Sequence, residues 1–258
     1  MNFQFMGRMG LLFFVLTACV FGDDKIKTGV STDYSEGYYG ASTLTTMTST
    51  SIFAKYINGD TSLSIDLPYL ILSGPSNTSV SSDSTVTTPS TTATQYRETQ
   101  GVGDIVLNGI YQLYSNATLG FAMDLGCKLK IPTASHRAGL GTGELDESTQ
   151  LYVYQNLNDV TLMLEAGYKW VGNPQGIHYR NTVSASAGII YQPSTAASLG
   201  ALFDIKQSVY SSMSDQMEIT LYGSYQLSPS WYAQLHTYKG LADISPTFGV
   251  GGTLGYQF

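Results

Sequence analysis

The stretch ATLGFAMDLGCKLKI, residues Ala117–Ile131, alternates between two kinds of side chain along its whole length. Its odd-numbered positions are mainly large and apolar, whereas its even-numbered positions hold Thr, Gly, Ala, Asp and Lys. Successive side chains of a strand point to opposite sides, so the charged residues Asp124, Lys128 and Lys130 share one face. The stretch predicts a strand with one apolar face and one polar face.

The same alternation recurs in the segments 104–113, 160–170, 197–206 and 217–227. Their polar face is rich in Gly, Ser, Thr, Asn and Gln, whereas a soluble antiparallel sandwich usually exposes many Lys and Glu. Segments of about ten residues suit tilted membrane strands. The pattern predicts an all-β fold, a transmembrane antiparallel up-and-down β-barrel with a polar lumen, and a soluble sandwich is the alternative.

The spacing of turn residues predicts twelve strands, with ten or fourteen as alternatives, since such barrels have an even number. Short links are assigned to the periplasm, and longer links, including 134–144 and the Ser/Thr-rich segment 74–101, to the cell surface. The predicted strands are 26–38, 46–57, 61–73, 102–115, 117–132, 147–157, 159–171, 180–192, 196–210, 215–228, 231–241 and 247–258.

Composition argues against several classes of function. The 258 residues carry a net charge of −7, from 12 Lys+Arg and 19 Asp+Glu, and no basic cluster suited to nucleic acid occurs. The two cysteines, Cys19 and Cys127, have no zinc-site spacing. We therefore expect no nucleic-acid partner, no metal site and no cofactor.

The N-terminus has the layout of a secretory signal, with Arg8 before the apolar run 11–21, which is too short to span a bilayer. Cleavage near Gly22 competes with a lipobox interpretation in which Cys19 is acylated. A barrel needs no lipid anchor, which favours cleavage near Gly22. We predict a signal peptide at 1–22 and a single barrel domain at 23–258.

The C-terminus ends in Phe258, with Phe248, Val250, Leu254 and Tyr256 on the same face of the last predicted strand. This strand resembles those that the outer-membrane assembly machinery recognises. The prediction is a Gram-negative outer-membrane protein whose partners are outer-membrane lipids, that machinery and a small-molecule solute. The oligomeric state does not follow from the sequence.

Several phrases resemble, in order and over nearly the whole predicted mature chain, outer-membrane proteins assigned a transport role in meta-cleavage phenol-degradation pathways. The resemblance implies an outer-membrane barrel with a solute-uptake role, and it supplies no catalytic motif. The phrases are YSEGYYG at 34–40, DLPYLILSG at 66–74, GVGDIVLNGIYQLY at 101–114, KLKIPTASHRAGLGTGELD at 128–146, GYKWVGNP at 167–174 and YKGLADISPTFGVG at 238–251.

Charged residues on the predicted inner face are the candidate site. They suit a hydrophilic permeation path for a small hydrophilic or aromatic solute, and they equally suit a salt-bridge network that fills a narrow lumen. Spacing at i,i+4 predicts local neutralisation of Asp124 by Lys128 and of Glu165 by Lys169. The lumen candidates are Asp66, Asp104, Asp124, Lys128, Lys130, Glu165, Lys169, Asp204, Lys206 and Glu218.

Two further functions are carried as alternatives to a channel. One is a structural or surface-binding barrel that acts through its extracellular loops. The other is a hydrolase at the barrel rim, which needs a nucleophile, a base and an orienting group. His136 and His178 fall in predicted outer loops and His236 on an inner face, and none pairs persuasively with a serine. The prediction is therefore a channel rather than an enzyme.

Overall fold

The computed structural model describes residues 24–81, 84–87 and 95–258, and the predicted signal peptide with Cys19 lies outside them. No helix in this described part is long and apolar enough to cross a membrane. A 3-10 turn occupies His136–Ala138. The strands are β1 Lys25–Gly37, β2 Thr45–Asn58, β3 Thr61–Pro75, β4 Thr78–Ser81, β5 Ser84–Thr87, β6 Tyr96–Val102, β7 Ile105–Asn116, β8 Phe121–Ile131, β9 Asp146–Leu157, β10 Val160–Trp170, β11 Thr182–Tyr191, β12 Ala197–Lys206, β13 Gln216–Gln226, β14 Trp231–Gly240 and β15 Phe248–Gln257.

All strands except β4 and β5 form one antiparallel sheet that closes on itself, because β15 pairs with β1 from Lys27↔Gln257 to Glu36↔Phe248. Both β6 and β7 pair with β3 and together act as one interrupted strand. The barrel therefore has twelve strands, which confirms the predicted fold class and strand number. β4 and β5 form a separate hairpin in the loop after β3.

The fourth barrel strand was predicted at 102–115, and it begins earlier, at Tyr96. A break at Gly103 and Asp104 separates β6 from β7, opposite Pro68 of β3. Proline has no N–H to donate to the ladder. Its carbonyl still accepts from the Gly103 N–H at 2.8 Å, and the register with β3 shifts by one residue across the break.

The fifth strand was predicted from residue 117, and β8 starts only at Phe121. The residues between β7 and β8 form a tight turn in which Gly120 has a φ of 63°. A Cβ at Gly120 would lie 2.5 Å from the Asn156 carbonyl oxygen, so both the backbone angle and the close approach require glycine. The alternating pattern continued into this turn without marking its start.

The two faces of the sheet are inverted relative to a soluble protein. Outward side chains are large, apolar and exposed, with Ile52 67% and Leu235 71% accessible, whereas inward Lys130 is 1% accessible. Aromatic pairs lie at strand ends, where Tyr168 and Trp170 meet edge to face at 4.8 Å. Apolar exposure of this extent is stable only against lipid, and aromatic side chains favour the membrane interface.

Aromatic rings on the inner face lie against glycines of the neighbouring strand. A Cβ added at Gly249 would lie 1.9 Å from the Tyr238 ring, and one at Gly200 would lie 2.2 Å from the Tyr222 ring. The rings can therefore lie flat on the sheet only because these positions carry no side chain. This arrangement lets bulky residues fit inside a barrel only modestly wider than one that side chains fill.

Candidate functional site

The structure places all of the lumen candidates on the inner face of the barrel. Asp66, Asp104, Asp124, Lys128, Lys130 and Lys169 are buried there, and Glu165, Asp204, Lys206 and Glu218 are partly exposed. Their positions follow directly from the alternation of side chains along each strand. Their role in permeation stays a prediction.

Many of the inward charges lie along two rows of laterally paired residues, which we name the basic row and the acidic row. Because barrel strands tilt, the position of each row along the barrel axis changes from one strand to the next. On β8 and β10 the rows lie four residues apart, roughly 13 Å along the strand. The basic row comprises Lys27, Lys55, Ser64, Asn108, Lys128, Ser148, Lys169 and Thr182, and the acidic row comprises Asp124, Tyr152, Glu165, Ser186, Asp204 and Glu218.

A buried ion-pair network stands at the extracellular mouth. Lys130 Nζ lies 3.3 Å from Asp104 Oδ2 and 3.2 Å from Asp146 Oδ2, and it donates to Thr142 Oγ1 at 2.7 Å. Lys169 Nζ lies 3.2 Å from the same Asp146 oxygen. These residues form the mouth network. Asp146, 2% exposed, joins both lysines and is the charged member that is absent from the predicted lumen candidates.

The alternation of inward and outward residues in the sequence already indicates an inward position for Asp146. It begins β9 and has the same parity as Ser148 and Gln150, which face inward. The predicted strand 147–157 begins one residue later, so the prediction did not assign Asp146 to either face. A one-residue error in a strand boundary thus concealed the central carboxylate of the mouth network.

The mouth network also holds two loops by their backbone. The Ala134 N–H donates to Asp104 Oδ1 at 2.9 Å, and the Gly172 N–H donates to Asp146 Oδ1 at 3.0 Å. Leu140, 2% exposed, packs in a cluster with Met47, Leu70, Leu72 and Val80. The segment 132–145, which we name the inward loop, therefore folds into the barrel mouth.

The segment 134–144 connects β8 and β9 at the end predicted to be extracellular, but its residues 140–142 are buried inside the mouth rather than exposed outside it. Its glycines serve close packing inside the mouth, since a Cβ at Gly141 would lie 2.8 Å from Asp104 Oδ2. Gly139, with a φ of 73°, ends the 3-10 turn and directs the chain inward. Composition alone could not show this, because glycine-rich sequence suits both mobile and tightly packed loops.

Below the mouth, a polar cavity of about 110 Å³ opens inside the barrel between β8 and β13, and we name it the chamber. Ser186 Oγ donates to Asp204 Oδ1 at 2.5 Å on its wall. A cavity of this size has room for several waters. Its charged lining residues are Lys128, Glu165, Lys169, Asp204, Lys206 and Glu218.

On the periplasmic side, the lumen holds a buried cluster that we name the apolar cluster. Tyr152 and Tyr154 lie with ring centroids 6.4 Å apart and an interplanar angle of 10°. This cluster was not predicted, because the composition of the inner face suggested a uniformly polar lumen. The members are Ala122, Tyr152, Tyr154, Met163, Ile190, Leu202 and Tyr222.

His236 faces the lumen as predicted and is 5% exposed. Its Nε2 lies 2.8 Å from Asp33 Oδ2, and the Tyr238 hydroxyl donates to Asp33 Oδ1 at 2.8 Å. These partners anchor the ring and include no serine or cysteine. His136, the other candidate of the rim-hydrolase alternative, is exposed in the 3-10 turn.

No family model and no curated protein matches this sequence. Among solved structures, an outer-membrane channel from Pseudomonas putida F1 has a TM-score of 0.70 at 14% identity, covering 94% of this chain and 97% of that chain. The KdgM porin has a TM-score of 0.50 at 12% identity, covering 88% of this chain and 98% of that chain. This chain folds as an outer-membrane β-barrel. At these identities the likeness shows the fold alone.

The fold and the apolar exterior together place the barrel in the outer membrane, as predicted. The structural neighbours are named as channels and porins. The link to phenol-degradation pathways stays a prediction, as do the lipid and assembly-machinery partners.

Proposed function

We propose that this protein is a passive outer-membrane channel for a small solute, and that the solute crosses the barrel through the chamber. The observation that carries the proposal is a cavity of about 110 Å³ inside a closed barrel, lined by charged side chains of both signs. Charged groups along a pore select solutes at close range. The names of the structural neighbours agree with a channel.

The path has a narrow section at each end of the chamber. The inward loop occupies the extracellular mouth, and the apolar cluster fills part of the periplasmic half. A channel with this profile conducts small solutes slowly and excludes large ones. We therefore expect a low single-channel conductance rather than that of a wide general porin.

Single-channel recording in a planar bilayer tests the proposal. The refolded barrel should give discrete current steps in potassium chloride. Under a salt gradient, Lys128→Gln should shift the reversal potential toward cation selectivity, because it removes a positive charge from the chamber wall. Lys239→Gln is the matched control, since Lys239 lies exposed on the outer face. A correctly folded but electrically silent barrel would contradict the proposal.

Tyr222→Ala should raise the conductance, because it removes a ring from the apolar cluster at the periplasmic narrowing. The cavity that it leaves should cost roughly 3 kcal/mol of unfolding free energy. Tyr225→Ala, on the outer face of the same strand and 55% exposed, is the control and should leave conductance unchanged. Equal conductance in both variants would show that the cluster does not limit the current.

The surface-binding alternative depends on the long loop between β3 and β6. In the described part of that loop, the Val80 N–H donates to the Gly139 carbonyl oxygen at 3.0 Å, and Thr78 is 1% exposed. Beside this loop, Arg97 of β6 donates from Nη1 to the Arg137 carbonyl oxygen at 3.2 Å. These contacts attach the loop to the inward loop, which favours a role in shaping the channel mouth.

A further inference from the structure

We propose that the chamber selects small zwitterions, that is, solutes that carry one ammonium and one carboxylate group. The inference rests on the proposed channel function and assigns its substrate class. It is carried by the arrangement of the chamber's charges along the barrel axis, which neither the fold nor the names of its structural neighbours specify.

Two carboxylates of the chamber wall lie side by side. Asp204 of β12 and Glu218 of β13 are directly paired across the sheet, and both line the chamber. Glu165 belongs to the same row, separated from Asp204 by Ser186. Like charges directly opposite each other in a sheet repel. A solute ammonium placed beside them therefore interacts favourably with more than one carboxylate.

On two strands of this wall, a lysine lies on the extracellular side of a carboxylate. Lys206 lies two residues beyond Asp204 on β12, roughly 6.6 Å along the strand. On β10, Lys169 lies four residues beyond Glu165 and lines the same chamber, and its Nζ is also paired with Asp146 Oδ2 at 3.2 Å. Strands β10 and β12 both run toward the extracellular side, so on each of them the lysine that lines the chamber lies nearer to the extracellular mouth than the carboxylate does. A solute carboxylate is therefore favoured on the extracellular side of the chamber.

This separation of charge favours a dipolar solute over one with a net charge. The chamber wall holds as many lysines as carboxylates among Lys128, Glu165, Lys169, Asp204, Lys206 and Glu218. A net cation or anion is attracted by one set and repelled by the other. A zwitterion with its carboxylate toward the extracellular mouth and its ammonium toward the periplasm interacts favourably with both sets of side chains.

Liposome swelling tests the inference with two net-neutral solutes of similar size, γ-aminobutyrate and 4-hydroxybutyramide. Neither solute builds up a membrane potential, so the swelling rates are directly comparable. We expect the zwitterion to enter roughly fivefold faster, a ratio equivalent to about 1 kcal/mol. Glu218→Gln and Lys206→Gln should each bring the ratio toward one by slowing the zwitterion alone. Lys239→Gln, a charge change on the outer face, should keep the ratio.

The outcomes separate the two proposals. Equal entry of both solutes into liposomes that hold the unsubstituted barrel would overturn zwitterion selection and leave the channel intact. A ratio that survives both chamber substitutions would also overturn it, because the chamber charges would then not cause the preference. Exclusion of both solutes by a folded barrel, verified by heat-modifiable electrophoretic mobility, would overturn the channel itself.

Discussion

Asp146→Ala is expected to lower the unfolding free energy of the barrel by about 3–5 kcal/mol, because it removes one partner of a buried ion pair. The substitution removes the Asp146 carboxylate that lies 3.2 Å from Lys169 Nζ. It also removes one of the two carboxylates that are paired with Lys130. It also removes the acceptor of the Gly172 N–H. Urea unfolding of the barrel in lipid vesicles, followed by tryptophan fluorescence, measures the loss.

Asp215→Ala is the matched control. Asp215 pairs with Arg180 at 3.4 Å, but the two side chains are 44% and 34% exposed. Water and salt screen such a pair, so its loss should cost about 1 kcal/mol or less. Equal effects of the two substitutions would mean that burial does not strengthen the mouth network. Asp146→Ala should also increase current noise, because Lys130, which donates to Thr142 of the inward loop, then keeps only one of its two carboxylate partners.

Gly249→Ala is the second substitution with a large expected effect, a loss of about 1–3 kcal/mol of unfolding free energy by overpacking. The new methyl would lie 1.9 Å from the ring of Tyr238, which is 2% exposed. The ring must move, and its hydroxyl then loses the 2.8 Å hydrogen bond to Asp33. The same urea unfolding experiment reports the change.

Gly252→Ala on the outer face of the same strand should be nearly neutral. Its methyl would meet the end of the Leu235 side chain at 3.0 Å, and that side chain is 71% exposed and free to rotate. In the double variant Gly249→Ala with Tyr238→Ala, the two costs should not add, because the clash is gone. Strict additivity would show that the ring and the glycine do not interact.

Much of the barrel could be predicted from the sequence because period-two alternation is a local property. Each strand shows its outward and inward faces by itself, so Asp124, Lys128 and Glu165 were placed correctly on the inner face. The spacing of the turn residues along the chain predicts the number of strands. Boundaries were less certain, since Gly120 ends a turn inside an uninterrupted alternating pattern and Pro68 shifts the register of β3.

The composition of the inner face was only partly predicted. Small and polar residues outnumber apolar ones there, which suggested a uniformly polar lumen. Tyr154, Met163 and Ile190 also face inward, but they sit on separate strands and become one cluster only when the barrel closes. The inward position of Leu140 depends likewise on the folding of a loop, for which glycine-rich sequence allows many conformations.

The sequence by itself therefore determined the class of fold and the face of every charge that lies well inside a predicted strand, and it favoured twelve strands, because these depend on neighbouring residues along the chain. The pairing of Asp204 with Glu218 and the meeting of Lys130 with Asp146 were decided only by the tertiary structure. Such contacts depend on cross-strand register, strand tilt and closure, and register is set by the whole sheet rather than by any one strand.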